Sequence, residues 1–354
     1  MSFRVIQWAT GNVGAHSLRA IVSHPKLELA GVLVYGPEKV GRDAGEICGI
    51  PPVGIAATDD VESLLALPAD CVAYNALGET RDPERALEDI CRILESGKNV
   101  VSTAVSTHIY PSVLAPELSE RIEAACRSGG VSFHSTGINP GYSFDVFPIT
   151  LSRLAKRIDR IQITEVVDMS AYTSESIVHG FIGMGMPVNV DAPMDLEKVT
   201  RGTSFHASMQ MLADAIGAEL EDIELSREKA AAEVALDLPW GRVEAGTTAA
   251  RRTRYSGIVA GEPRIFYDIV WRVSDEIASD WPRGDACYEV AIDGDPSLRC
   301  RFEMEVESGR HISLVTAMHA VNAIPAVCRA SPGLKTDLDL PLFGGGFFGS
   351  GSEA

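Results

Sequence analysis

The first half of the chain alternates between two hydrophobic rhythms. The largely apolar run "FRVIQWA" reads as a buried strand, and "VGAHSLRAIVSH" places Val13, Leu18, Ile21 and Val22 at helical spacing. "LELAGVLVY" and "DCVAYNAL" read as further strands. "PERALEDICRILESG" reads as a helix with Leu87, Ile90 and Leu94 on one face and Gly97 as its stop. The strand "NVVSTAV", the helix "ELSERIEAACRSGG" and the strand "VSFHSTG" continue the alternation. Strands separated by helices pair in parallel, so residues 1–150 are expected to form a doubly wound, mostly parallel α/β sheet.

Beyond residue 150 the rhythm changes. "IDRIQITEVVDMSAY" reads as a long strand and "SFHASMQMLADAIGAEL" as a helix. "TRYSGIVAGEPRIFYDIVWRVS" reads as paired strands about a Gly-Glu-Pro turn, and "ACYEVAIDG" pairs with "LRCRFEMEVE". These predict a second, α+β domain over 151–312 with a mixed or antiparallel sheet. "HISLVTAMHAVNAIPAVCRA" reads as a late helix, so that 313–345 returns to the first domain, and the glycine-rich 346–354 is expected to be a mobile tail.

Composition narrows the function. Lys and Arg number 31 against 49 Asp and Glu, a formal charge of −18, which argues against a nucleic-acid partner because no basic face offers counterion release. The 7 cysteines are scattered and never spaced as Cys-x-x-Cys, as expected for free thiols in a reducing compartment. No basic segment leading into an apolar run opens the chain, and no stretch approaches membrane-spanning length. A cytoplasmic protein without a membrane partner is expected. The 8 histidines form no i, i+4 pair with an acid, so no metal site is expected, and no Gly-x-Ser-x-Gly elbow marks a serine hydrolase.

The chemistry begins at "ATGNVG". Set against the Gly-x-Gly-x-x-Gly turn of dinucleotide-binding Rossmann domains, the three key positions read Ala9, Gly11 and Gly14. Ala9 replaces the least demanding glycine, where a methyl group is tolerated if φ stays negative. Gly11 lets a diphosphate approach the backbone, and amides at the start of the next helix bind it. An NAD site usually places an acid at the end of the second strand. Here "VYGPEKVGRDAG" offers Tyr35 and Gly36 instead, followed by Lys39 and Arg42, cations suited to a 2′-phosphate. NADP(H) is therefore favoured, with Glu38 leaving NAD(H) open.

Five segments in order, "ATGNVG", "YGPEKVGRDAGEICG", "GKNVVST", "STGINPGYSFDVFP" and "AVNAIPAVCRASPGL", resemble the dihydrodipicolinate-reductase-like oxidoreductases. Within them the likeness is greatest to 2,4-diaminopentanoate dehydrogenase and the native amine dehydrogenases. The resemblance implies a Rossmann domain, a second α+β domain closing over the nicotinamide, a homodimer, and reversible C–N redox chemistry on a small-molecule substrate. It also implies that Thr10, Gly11, Asn12, Val13 and Gly14 hold the pyrophosphate and that Asn75 and Ala76 lie beside the cofactor. Thr103 and Ala104 would approach the nicotinamide, Asn139, Pro140 and Gly141 would shape its pocket, and Asn322 with Pro325 would contact it from the late helix.

One departure matters. The amine dehydrogenases carry a glutamate shortly after the Ser-Thr strand end, to handle the proton of the amine. Here that stretch is "STAVSTHIYPS", with no carboxylate. A carbonyl or imine reductase using another acid fits these residues better, with His108 as the proton donor because imidazole titrates near neutrality. Tyr142, Tyr172, His179 and His206 are candidate substrate-pocket residues, "HGFIGMGMP" a pocket wall or lid, and Asp145 a helix cap. The expected function is an NAD(P)-dependent oxidoreductase acting on a small ketone, imine or amine. The competing readings are a non-catalytic NADP(H) sensor, an amine dehydrogenase with an unusual proton-transfer residue, and a partner-binding protein.

Overall fold

The structure is a computed structural model and describes residues 2–76, 82–172, 175–196, 203–284, 286–304 and 311–346. The chain divides into two compact units, Met1–Tyr142 with Ser313–Ala354, and Ser143–Ile312. In chain order the first unit contains β1 (Phe3–Trp8), α1 (Asn12–Ser23), β2 (Leu27–Leu33), α2 (Ala44–Cys48), α3 (Val61–Leu65), β3 (Cys71–Tyr74), α4 (Pro83–Glu95), β4 (Asn99–Ser102), α5 (Pro116–Gly129) and β5 (Ser132–Ser135). The second contains α6 (Val146–Ser152), β6 (Arg157–Asp168), α7 (Ser204–Ala215), β7 (Asp222–Ala231), β8 (Leu236–Leu238), β9 (Gly241–Val243), β10 (Thr248–Val259), β11 (Glu262–Arg272), β12 (Ala286–Asp295) and β13 (Leu298–Glu303). Most of α8 (His311–Val327) and all of β14 (Gly333–Lys335) lie in the first unit.

The first unit is the doubly wound α/β sheet that the alternation predicts. Its six strands run in the order β14-β5-β4-β3-β1-β2, and every pair is parallel. The chain leaves β1 for β2 on one side and returns to β3 on the other, so the topological switch point falls between β1 and β3. Ligands of such sheets bind outside the carboxyl ends of the strands at that point. The sheet is buried on both faces. Leu18 and Ile21 of α1 pack with α8 residues Ala320, Val321 and Ile324 in one core cluster, and Leu87, Ile90 and Leu94 of α4 pack with Ile122 of α5 in another.

The second unit is α+β, with a mixed sheet in the order β13-β12-β6-β11-β10-β7. Only the β11–β6 pair is parallel; the hairpins β10–β11 and β12–β13 are those read from sequence. Helix α6, assigned to the first domain on sequence, packs against α7, β6 and β12 and so belongs here. β7 is not declared by the hydrophobic pattern because this edge strand, "DIELSREKAA", carries the unbroken polar run Ser226–Lys229. Residues 347–354 of the expected mobile tail lie outside the described residues. No helix among the described residues is long and apolar enough to cross a membrane.

Candidate active site

A cleft of about 610 Å³ opens at the carboxyl ends of β1, β2 and β3, at the switch point. Ala9, Thr10 and Gly11 line it from the turn after β1, Tyr35, Gly36 and Lys39 from the segment after β2, and Tyr74, Asn75 and Ala76 from the end of β3. Asp82, Arg85, Ala86 and Asp89 of α4 and its cap complete it. Gly11 is the N-cap of α1; no side chain caps this helix end, and its first turn holds no acid. The positive end of a 12-residue helix is thus left for an anion. A Cβ on Gly11 would meet nothing within 4 Å, so the packing of the chain does not require glycine there. A Cβ on Gly14 would lie 2.3 Å from the Ala9 carbonyl oxygen, so helix and turn touch only because residue 14 has none. Asn12 and Val13 form the first turn between them.

One detail of the turn overturns the sequence expectation. Ala9 has φ of +72°, in the left-handed region, not the negative φ that would excuse its methyl group. Gln7 holds it there, its Nε2 donating to the Ala9 carbonyl at 2.8 Å. A left-handed alanine costs about 1–2 kcal/mol, part of which a glycine would lose again through greater freedom in the unfolded chain. Ala9→Gly is therefore expected to stabilise the protein by about 0.5–1 kcal/mol, read by urea unfolding.

A polar chain crosses the strand ends below the cleft. Gln7 Nε2 donates to Asn75 Oδ1 at 2.9 Å, and Asn75 Nδ2 donates to Thr103 Oγ1 at 2.9 Å. Lys39 Nζ donates to the Thr10 carbonyl and Oγ1, both at 3.2 Å, which brings its ammonium beside the pyrophosphate turn. Arg42 is exposed and does not line the cleft. Asp43 turns the chain away just after it, accepting from the amides of Gly45, Val53 and Gly54. Arg85 of α4 lines the cleft instead, and sequence reasoning missed it. So does Tyr35, which is 52% exposed and whose hydroxyl accepts from Trp8 Nε1 at 2.9 Å. Ala104 faces the core of the sheet rather than the cleft.

Around β5 the loop Gly137–Tyr142 is fastened to α8. The Thr136 hydroxyl bonds His319 Nδ1 at 2.8 Å, and the Tyr142 ring stands edge-on to the His319 ring at 5.1 Å. Gly141 has φ of +123°, and a Cβ there would sit 2.3 Å from the Gly137 amide nitrogen. Asn139 and Pro140 are joined by a cis peptide in this loop. Asn322 lies elsewhere: its Oδ1 accepts from the Gly346 amide, and it lines a groove with Pro325, His24, Pro25 and Lys26. Beneath the loop, His134 is fully buried and its Nδ1 donates to the Lys335 carbonyl at 2.9 Å. Burial pushes its imidazole down from 6.5 to about 4. Unfolded chain then takes up a proton that folded chain refuses, so stability is complete above pH 6.5 and is lost as pH falls towards 4, by about 3 kcal/mol. His134→Gln is expected to flatten that acid limb in urea titrations at pH 7 and pH 4.5.

The proposed proton donor His108 is 5% exposed, in a single turn Ser106–Ile109, with its ring edge-on to the core residue Phe133 at 6.2 Å. That placement gives it a packing role and does not bring it to the cleft. In the second unit, Tyr172 and the segment bearing His179 join one apolar cluster with Val178, Ile182 and Met184. His179 Nδ1 donates to the Met184 carbonyl at 2.7 Å, which pins the glycine-rich loop. His206 sits apart, in the first turn of α7 after its Thr203 cap. Asp145 caps α6, its Oδ1 accepting from the Val146 amide. No group of His, Cys, Asp and Glu among the described residues is placed to hold a metal ion.

A nucleotide cleft at the switch point, with an uncapped helix end and an open glycine, fits a dinucleotide, and the chain is an NAD(P)-dependent oxidoreductase. Residues 142–346 match the model of the 2,4-diaminopentanoate dehydrogenase C-terminal domain, and the chain belongs to this family. It is 37% identical over 348 residues to an amine dehydrogenase of Streptomyces virginiae, covering 95% of this chain and 96% of that one. It is 29% identical over 346 residues to 2,4-diaminopentanoate dehydrogenase of Acetoanaerobium sticklandii, covering 96% and 93%. An amine dehydrogenase structure from Mycobacterium smegmatis superposes with a TM-score of 0.77 at 21% identity, over 97% of both chains, and shares the fold.

Proposed function

We propose that this protein interconverts a small primary amine and its ketone, through the imine, with NADP(H) as the preferred cofactor. The observation that carries the reading is the 37% identity to an amine dehydrogenase along nearly the whole chain. When bound, the nicotinamide would take or give the hydride. The chain's own residues do the rest: the α1 amides and Gly11 hold the pyrophosphate, and Gly14 keeps that helix against the turn. The Gln7–Asn75–Thr103 chain fixes the floor at the strand ends. The absence of a carboxylate from residues 103–110 favours a second reading, a carbonyl or imine reductase. Fluorescence titration with NADPH and NADH, followed by ketone reduction with and without ammonia, separates the two. Turnover only with ammonia supports the amine reading; equal turnover without it supports the second.

Cofactor preference is assigned to Lys39 together with Arg85, the second cation of the cleft, in place of Arg42. Asp82 is committed to capping α4, accepting from the Arg85 amide, and burial raises the carboxyl of Asp89. Each of Lys39→Ala and Arg85→Ala is expected to weaken NADPH binding about tenfold while NADH changes little, since a bond to a charged group contributes about 1.5–3 kcal/mol. Arg42→Ala is expected to change neither; a loss there would restore the original pair. A cytoplasmic homodimer completes the proposal, and gel filtration with light scattering checks the dimer.

A further inference from the structure

Three aromatic residues meet at the carboxyl ends of the first three strands. Trp8 and Tyr74 pair in register at the ends of β1 and β3, and their rings stack at 5.8 Å with 28° between the planes. Trp8 is 1% exposed. An indole N–H is a donor only, and once buried it needs an acceptor. It finds one two residues beyond β2, donating from Nε1 to the Tyr35 hydroxyl at 2.9 Å. Tyr35 is therefore held from inside by its hydroxyl while the rest of the residue is exposed and lines the cleft. A lone exposed aromatic residue is ordinary on a protein surface. This one is neither free to turn away nor remote, because it stands where an NAD site carries the acid for its ribose diol. Burial pushes its phenol above the usual value, so it brings no negative charge towards a phosphate-bearing ligand. Gly36, Ala76 and Ala86 line the same 610 Å³ cleft, and their small side chains leave room for a flat ring.

We propose that Tyr35 is the platform on which the purine base of the cofactor stacks, and that Trp8 is the positioning residue that holds its ring. The inference rests on the cofactor part of the reading above and involves the first unit alone. Stacking needs a rigid, accessible π-face, and every base has one of its own. The Trp8 N–H supplies the rigidity, and the stack of Trp8 on Tyr74 anchors the donor in the core of the sheet. An aromatic ring in place of the acid grips the base instead of the ribose diol, which leaves the 2′-position to Lys39 and Arg85. Tyr35 thus serves NADPH and NADH alike, and the two cations alone distinguish them.

The test titrates the full chain with NADPH, NADH and adenosine 2′,5′-bisphosphate by calorimetry. Tyr35→Leu should weaken all three about tenfold, because the stack lies in the adenosine they share, and the NADPH/NADH ratio should keep its wild-type value. Tyr35→Phe keeps the ring and should cost only about threefold. Both variants leave the Trp8 N–H without its acceptor and should melt alike, so affinity and melting temperature part company, which a merely structural role would not allow. Trp8→Phe should match Tyr35→Phe, and the double variant should lose no more than either, because both break one bond. Unchanged affinities in Tyr35→Leu overturn the platform, as do equal losses in Tyr35→Leu and Tyr35→Phe, or a loss for NADPH alone. Additive losses in the double variant overturn the role of Trp8. Should Trp8→Phe not fold, the two Tyr35 variants carry the test. A wild type that binds none of the three ligands overturns the cofactor reading itself, and the platform with it.

Discussion

Gly11→Ala is expected to leave the protein as stable as wild type while weakening NADPH binding by about one to two powers of ten, the worth of one charge-assisted hydrogen bond. Gly14→Val is expected to lose both cofactor binding and stability. The two glycines stand three residues apart at one helix end, yet for opposite reasons. At Gly11 φ is −72°, ordinary for any residue, and a Cβ would find open space. Nothing in the fold asks for glycine there, so the demand comes from the ligand. At Gly14 the Cβ would lie 2.3 Å from Ala9 O and 2.9 Å from Ala9 C, both backbone atoms of a turn already held by Gln7. Relief requires the helix to shift off the sheet, and overpacking of this kind costs about 1–3 kcal/mol. Melting curves and NADPH titrations on both variants read the difference. Unchanged NADPH affinity in Gly11→Ala would mean that the pyrophosphate does not approach the chain at this residue.

The sequence shows the turn but not its geometry. Strand, glycine turn and helix are local, and so is the hydrophobic period that declares each of them, which is why the parallel sheet and both antiparallel hairpins are legible before any coordinates. What escapes is whatever depends on the path between elements. Arg42 is three residues beyond Lys39 and equally charged, but the Asp43 carboxylate gathers three amides and carries Arg42 out of the cleft. Arg85 enters from a helix 46 residues further along, a proximity that no local pattern encodes. His108 follows the strand end where a proton donor belongs, yet its turn folds inward against Phe133. Glu165 left a signal in the sequence, the single break in the inward apolar stripe Ile161, Ile163, Val167 of β6, and the structure shows it buried and bonded by Trp271 Nε1. Ala9 is the converse: the alanine suggests an ordinary φ, and the strained conformation shows only in the backbone.

Removing one carboxylate from the second unit should have the largest effect on folding. Asp268 of β11 is fully buried and pairs with two arginines of β10. Arg252 grips it with Nε to Oδ1 at 2.8 Å and Nη2 to Oδ2 at 2.7 Å, and Arg254 Nη2 reaches the same Oδ2 at 2.7 Å. Residues 252 and 254 share a face because strand side chains alternate, and Arg254 sits directly opposite Asp268 in register. Burial opposes ionisation of Asp268, and the two guanidiniums more than offset it, holding its carboxyl below the ordinary range. Asp268→Ala leaves two like charges facing a site without an anion, and breaking a buried pair in this way costs about 3–5 kcal/mol. Asp268→Asn should cost nearly as much despite its equal volume, because charge rather than shape holds the arginines. If urea unfolding finds Asp268→Asn close to wild type, shape and neutral hydrogen bonds suffice, and the β10–β11 pair is held by packing alone. The carboxylate's contribution is lost as pH falls through its lowered pKa, so the gap between wild type and Asp268→Asn should narrow in strong acid and stay full at neutral pH.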